Sequence, residues 1–132
     1  MKYLIDTNVC IHFFLGNFNL IDRFETVKLS NCAISEITLA ELIFGAENSS
    51  NPKINYKLID KFTERTKILP IHNAISIYAK EKVRLRIKGE MISDFDLLIR
   101  STAISNDLIM VIENLKELKR ITNIRIENWV NR

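Results

Sequence analysis

The sequence predicts an α/β fold, in which helices cover both faces of a central, mostly parallel β-sheet. Short apolar segments rich in strand-forming residues alternate along the chain with longer segments of helical periodicity. These short segments lack interleaved polar residues, which is typical of strands buried on both faces. The length of 132 residues, with 47% hydrophobic and 27% charged residues, suits one packed domain. We therefore expect a single domain over residues 1–132, whose helices supply the crossovers that parallel strands need.

The first half of the chain opens with a predicted strand that ends at a polar tripeptide. Residues 2–5 form the strand, and the side chains of Asp6-Thr7-Asn8 favour helix N-caps. A helix is therefore expected from Val9 to Leu15, where Gly16 ends it. The same reasoning predicts a helix beginning at Leu20, a strand at Cys32–Ser35, a helix ending at Asn48, a loop over residues 49–52 and a helix from Ile54 to Phe62.

The second half repeats the alternation of strand and helix. Lys67–Leu69 is a short strand before Pro70, and a long helix ending at Gly89 follows. That helix carries the apolar row Ile75, Ala79, Val83 and Ile87. We then expect a helix opened by residues 93–96 and running to Ser105, a strand at Leu108–Ile112, a helix from Asn114 to Ile121 and a last strand around Ile124 to Ile126.

Charge and cysteine content limit the classes of function. The net charge of +3 permits a polyanionic partner without requiring one. Cys10 and Cys32 have apolar neighbours and no CxxC spacing, so we expect buried, reduced thiols. No apolar run approaches the roughly 18 residues of a membrane span, and Asp6 comes too early for a signal-peptide core. We expect a cytoplasmic protein that does not enter the membrane.

Several acids fall where an α/β sheet binds ligands, at the carboxyl ends of its strands. Asp6 directly follows the first strand, although capping alone could explain it. Glu41 lies on a helix and points away from the neighbouring apolar side chains, so plain solvent exposure is its alternative explanation. Asp94 and Asp96 stand at one helix start, where a capping box accounts for one acid but not for both.

The chain has no nucleophilic motif to accompany these acids. It contains no glycine-rich phosphate loop, no GxSxG and no HExxH, and the isolated His12 and His72 do not suggest a histidine-centred triad. Clustered carboxylates without a basic catalyst suit a hard, oxygen-seeking cation such as Mg²⁺ or Mn²⁺. Phosphodiester hydrolysis is the chemistry that such a site favours.

Three blocks in fixed order resemble the PIN-domain ribonucleases, and most closely the VapC toxins of bacterial toxin–antitoxin pairs. They are residues 4–8 (LIDTN), residues 36–45 (EITLAELIFG) and residues 94–99 (DFDLLI) followed by Thr102-Ala103. The resemblance extends from Met1 to the strand near Ile124 and implies a PIN-like sheet. It implies further that Asp6, Glu41 and Asp96 are the catalytic metal ligands, that Asp94 is an auxiliary acid, and that Thr7 and Asn8 orient Asp6.

The resemblance also implies an activity and partners. It predicts an endoribonuclease toxin that depends on Mg²⁺ or Mn²⁺, in which a metal-activated water cleaves RNA such as tRNA or rRNA. It predicts a cognate VapB-like antitoxin and a homodimer. The apolar side chains of Ile54, Leu58 and Phe62 offer a surface for dimerisation or, equally, part of the core. Trp129 is expected to anchor the tail by packing.

This sequence departs from the family pattern in two places. Ile112 replaces a usual Thr and Asn114 holds the auxiliary acid-or-amide position, which leaves open whether one or two metal ions bind. Arg100 replaces a usual small residue, and we expect it on the surface rather than at the substrate phosphate. Lys80, Arg84 and Lys88 form a basic row that could follow an RNA backbone, although a solvated helix face is the favoured interpretation.

Two other classes of function compete with this interpretation. A catalytically inactive PIN module would bind RNA or a protein partner, but all three core acids are present. A receiver domain expects paired acids near the first strand, and a haloacid-dehalogenase-like phosphatase expects an Asp where this chain has Asn8. Within the favoured class, only one of Asp94 and Asp96 is expected to be a direct ligand, because residues two apart on a helix point about 200° from each other.

Overall fold

The computed structural model describes residues 1–113 and 121–130, which contain five strands and six α-helices. Single 3₁₀ turns at Leu29–Asn31 and His72–Ala74 complete the described elements. The strands are β1 (Tyr3–Ile5), β2 (Cys32–Ser35), β3 (Lys67–Leu69), β4 (Ile109–Val111) and β5 (Arg125–Glu127). The helices are α1 (Thr7–Phe14), α2 (Leu20–Val27), α3 (Glu36–Glu47), α4 (Pro52–Arg65), α5 (Ile75–Lys88) and α6 (Asp94–Ser105).

The strands form one sheet in the order β3-β2-β1-β4-β5, and every neighbouring pair is parallel. In the centre, Tyr3 of β1 lies in register with Cys32 on one side and with Ile109 on the other. The predicted α/β class is confirmed, and all carboxyl ends of the strands lie along one edge.

Helices cover both faces of the sheet because its central strands are buried on both sides. Tyr3 and Ile5 pack into a core with α1, α2, α3 and α4, whereas Leu4, which points the opposite way, packs against α6. Every residue of β1 and β2 is buried. This two-sided burial explains why the sequence shows continuous apolar runs rather than alternation.

The observed elements differ from the expected ones mainly at their ends. Helix α1 begins two residues early, at Thr7, because Asp6 takes the N-cap position. Strand β5 lies one residue later than expected, and β4 is shorter at both ends. Of the predicted helix from Asn114 to Ile121, residues 114–120 lie outside the described part of the chain.

The structure also tests the predictions for the two cysteines, for Trp129 and for membrane-spanning helices. Cys10 and Cys32 are buried and free. Trp129 is 3% exposed and packs edge-on against Tyr3 and Phe24, with ring centroids 5.1 and 5.4 Å away, which confirms its anchoring role. None of the described helices combines the length and the apolar character that crossing a membrane requires.

Candidate active site

The topology brings Asp6, Glu41 and Asp96 to the carboxyl edge of the sheet. Asp6 follows β1 directly, and α3, which carries Glu41, begins immediately after the neighbouring strand β2. Asp96 lies in the first turn of α6, which packs on the opposite face of the sheet from α3. The negative charges of both Asp96 and Glu41 raise the pKa of Asp6, so the three carboxylates form one electrostatic cluster.

Asp6 occupies an N-cap position without capping the helix. Its backbone has the extended geometry of an N-cap, but its side chain accepts no capping hydrogen bond. Burial is the largest influence on this carboxyl and raises its pKa to about 6, an effect that the positive charge of Arg100 partly offsets. Capping therefore does not account for the acid, and Arg100 compensates its burial only in part.

Glu41 is held by a hydroxyl rather than left in solvent. The Thr7 Oγ1 lies 2.7 Å from Glu41 Oε1 and 3.1 Å from the Oγ1 of the buried Thr38. A hydroxyl has one proton and a carboxylate only accepts, so Thr7 donates to Glu41 and Thr38 is left to donate to Thr7. Glu41 is half-buried, so the solvent-exposed alternative is wrong.

Thr7 contacts two of the acids, and Thr38, which supports it, was not among the predicted site residues. A backbone hydrogen bond from Thr7 lowers the pKa of Asp6, the residue that Thr7 is expected to orient, and the Thr7 hydroxyl contacts Glu41 as well. Asn8 is exposed, and no hydrogen bond joins its side chain to the described residues. A signal for Thr38 was present, because a residue three positions before Glu41 shares its side of the helix. Asn114 lies outside the described residues.

Asp94 and Asp96 have separate surroundings, although they stand in the same helical turn. The exposed Asp94 accepts hydrogen bonds from the Tyr78 hydroxyl and the Lys82 ammonium, both at 2.8 Å, which lower its pKa. The Asp96 carboxylate instead lies 3.8 Å from Arg100, on the side of the acid cluster. Ser93 caps the helix by accepting from the Asp96 amide, which leaves the Asp96 side chain available to the site.

Arg100 is buried, so its expected surface position is wrong. Its side chain is 4% exposed, and Nη1 lies 3.8 Å from Asp96 Oδ2. Arg100 follows the buried Ile99 and comes three residues before the buried Ala103, on the side of α6 that packs into the protein. A cation in this place reduces the repulsion between the acids.

The three carboxylates of Asp6, Glu41 and Asp96 are suitable ligands for a hard divalent cation, but they are not close enough together to bind one in this structure. Three carboxylates whose negative charge exceeds that of the one neighbouring arginine are the kind of oxygen donors that Mg²⁺ prefers. Over residues 1–113 and 121–130, no three acidic, histidine or cysteine side chains stand close enough to hold an ion in this arrangement.

The two histidines and the basic row lie apart from this chemistry. His12 Nε2 is 3.0 Å from Glu113 Oε2, which ties α1 to the residues after β4, and His72 is exposed. The guanidinium of Arg84 makes two hydrogen bonds to Glu81, at 2.6 and 3.1 Å, while Lys80 and Lys88 are exposed. The pairing of Arg84 agrees with the favoured interpretation of this row as a solvated helix face.

Comparisons with known proteins agree with this architecture. The chain matches the PIN domain model over residues 3–123. It is 35% identical over 130 residues to the tRNA(fMet)-specific endonuclease VapC of Salmonella typhimurium, with 98% of each chain covered. It is 37% identical over 134 residues to ribonuclease VapC2 of Haemophilus influenzae, which covers 98% of this chain and 99% of that protein.

Solved structures give the same result in three dimensions. VapBC from Salmonella typhimurium bound to DNA superposes with a TM-score of 0.90 at 35% identity, covering 98% of both chains. VapBC2 from Rickettsia felis, bound to a DNA fragment of its promoter, gives a TM-score of 0.87 at 34% identity and covers 98% of this chain and 99% of that one. Since the PIN model matches nearly the whole chain and VapC relatives align with it over 98% of both chains, the chain belongs to the PIN-domain family, among the VapC ribonucleases of toxin–antitoxin systems.

Proposed function

We propose that this ribonuclease is an Mg²⁺-dependent endoribonuclease and the toxin of its pair, with Asp6, Glu41 and Asp96 as the residues that hold the metal. The observation that carries the proposal is the environment of Asp6. This carboxyl is largely buried, has no capping role and lies near two further acids, and Arg100 offsets only part of the resulting rise in its pKa, so a bound cation would stabilise its charged form. Mn²⁺ satisfies the same oxygen donors and is the expected substitute.

The metal, when bound, activates a water molecule and neutralises charge on the phosphoryl oxygens. The protein supplies the positions. The hydrogen bond from Thr7 fixes the rotamer of Glu41, and Ser93 fixes the first turn of α6, so that Asp96 faces the site. The positive charge of the buried Arg100 reduces the repulsion between the negative charges of Asp6 and Asp96.

We propose RNA as the substrate, with tRNA as the first candidate, because full-length relatives are named ribonucleases and one is named for its action on tRNA(fMet). We propose a VapB-like antitoxin as the partner, because the neighbouring solved structures are VapBC complexes. Co-purification of the chain with the product of an adjacent reading frame tests this pairing.

The two acids at the start of α6 provide a matched test of the activity. We expect Asp96→Asn to abolish Mg²⁺-dependent RNA cleavage, because the amide keeps the shape of the side chain but not the anionic ligand. Asp94→Asn should reduce cleavage only partly, because Asp94 already binds Tyr78 and Lys82. Initial rates are measured on labelled tRNA at saturating Mg²⁺, with a chelator as the blank.

Three outcomes contradict the proposal or its ligand assignment. Cleavage that survives the chelator excludes metal dependence. RNA binding without cleavage in the wild-type protein identifies an inactive PIN module. A larger loss for Asp94→Asn than for Asp96→Asn reverses the assignment of the ligand.

A further inference from the structure

Arg100 is the cation that the sequence alone placed wrongly. It is buried inside the acid cluster, with Nη1 3.8 Å from Asp96 Oδ2, and its charge also acts on Asp6. The side chain is 4% exposed, so moving the guanidinium out into solvent would require α6 to repack. Arg100 is therefore a fixed part of the cluster and not a mobile surface side chain.

The charges of the cluster determine how many cations it holds. Asp6, Glu41 and Asp96 carry three negative charges when ionised, and Arg100 cancels one of them. The two charges that remain match a single divalent ion. A second divalent ion would give the site a net positive charge and would lie close to the buried guanidinium of Arg100, which is unfavourable.

The two described residues that follow β4, the strand beside β1, provide little for a second metal ion to bind. Ile112, the first residue after β4, is 1% exposed and has no side-chain oxygen. Glu113 follows it, and its Oε2 lies 3.0 Å from His12 Nε2, so this carboxylate is directed toward α1. Among the described residues that follow β4, Ile112 therefore offers no side-chain ligand and one oxygen of Glu113 is engaged by His12.

We propose that Arg100 takes the place of a second metal cation in the acid cluster, so that the protein binds one divalent ion. The inference rests on the proposed function, because it takes the three acids as metal ligands. It assigns to Arg100 a positioning role, in which the guanidinium fixes the charge and the spacing of Asp6 and Asp96.

The number of bound ions tests the inference independently of catalysis. Metal-free protein is titrated with Mn²⁺ at neutral pH, and the free ion is counted by its electron paramagnetic resonance signal. We expect one ion in the wild type and in Arg100→Lys, which keeps the charge. We expect two ions in Arg100→Met, which keeps much of the volume, and an affinity for the first ion raised at least about tenfold. Arg84→Met is the matched control on α5 and should bind one ion.

Each result has a distinct meaning. Two ions in the wild type, or one ion of unchanged affinity in a folded Arg100→Met, overturns the role of Arg100 and leaves the proposed nuclease intact. No bound ion in any variant overturns the proposed metal dependence itself. Circular dichroism checks folding, and if Arg100→Met does not fold, Arg100→Gln and the wild-type count provide the test.

Discussion

At the residue scale, the ionised Asp6 carboxylate lowers the free energy of unfolding of the metal-free protein. Burial raises the pKa of Asp6 from its ordinary 3.8 to about 6 in the folded state, so the folded state is destabilised at every pH at which this carboxyl is ionised in the unfolded chain. The stability of the metal-free protein should therefore fall as the pH rises from about 4 to about 6, and stay at the lower level above that. Function accounts for this arrangement, because the same charge attracts a cation.

Replacing Asp6 by Asn should remove this cost. We expect the metal-free Asp6→Asn variant to be more stable than wild type at pH 7.5 by about 2 to 3 kcal/mol, and the difference to vanish near pH 4. Urea denaturation at both pH values measures it. Saturating Mg²⁺ should narrow the gap at pH 7.5, since only the wild type gains from binding. A variant less stable than wild type at neutral pH would show that Asp6 has a structural role that the geometry does not reveal.

Sequence position made the acids candidates but did not predict their neighbours. Asp6 follows a strand, Asp96 stands in the first turn of a helix and Glu41 lies within one, and the resemblance to the PIN-domain ribonucleases selected these three. Arg100 was misplaced because an arginine is usually exposed, although its position beside Ile99 already put it on the buried side of the helix. The contact between Thr7 and Glu41 joins two helices, so no local pattern could predict it.

At the scale of elements, α1 and α3 are joined by the hydroxyls of Thr7 and Thr38. We expect Thr38→Val to lower the affinity for Mg²⁺ about three- to tenfold, because Thr7 loses the donor that fixes its rotamer and Glu41 becomes less ordered. Calorimetric titration with Mg²⁺ measures this. Thr38→Ser, which retains the hydroxyl, should restore wild-type affinity. An equal loss in both variants would mean that the methyl group, and hence packing, is responsible.

The elements were predictable to different extents for physical reasons. The bounds of β2 and β3 were predicted correctly, because polar residues or a proline next to a short apolar run show where the strand begins and ends. On α5 the apolar row was a poor guide to burial. Ile75, Val83 and Ile87 are between 48% and 81% exposed, whereas Leu85 is buried. Periodicity identifies a helix, but the tertiary contacts decide which side faces the core.

At the scale of the whole molecule, the homodimer remains a prediction, and only two of the three apolar side chains suggested for its interface are exposed. Phe62 is buried in the core, whereas Ile54 and Leu58 are 56% and 37% exposed. Light scattering should find a dimer, and Ile54→Glu should shift it toward monomer, because a charge at an apolar interface is unfavourable. Ile87→Glu, on the exposed side of α5, is the matched control. Dissociation by Ile87→Glu instead would move the interface to α5, and a monomeric wild type would exclude the dimer.

Because β1 lies in the centre of the sheet, the fold around the acids can be completed only late in the synthesis of the chain. The amide of Asp6 donates to the carbonyl of Val111 at 2.9 Å, and β1 pairs along its length with β4. A ribosome adds about 5 to 20 residues per second, so the partner of the first strand is synthesised several seconds after it. A growing or prematurely terminated chain that stops before β4 lacks one side of the sheet edge that supports the acids. We therefore expect nuclease activity to depend on completion of β4, which is among the last elements to be synthesised.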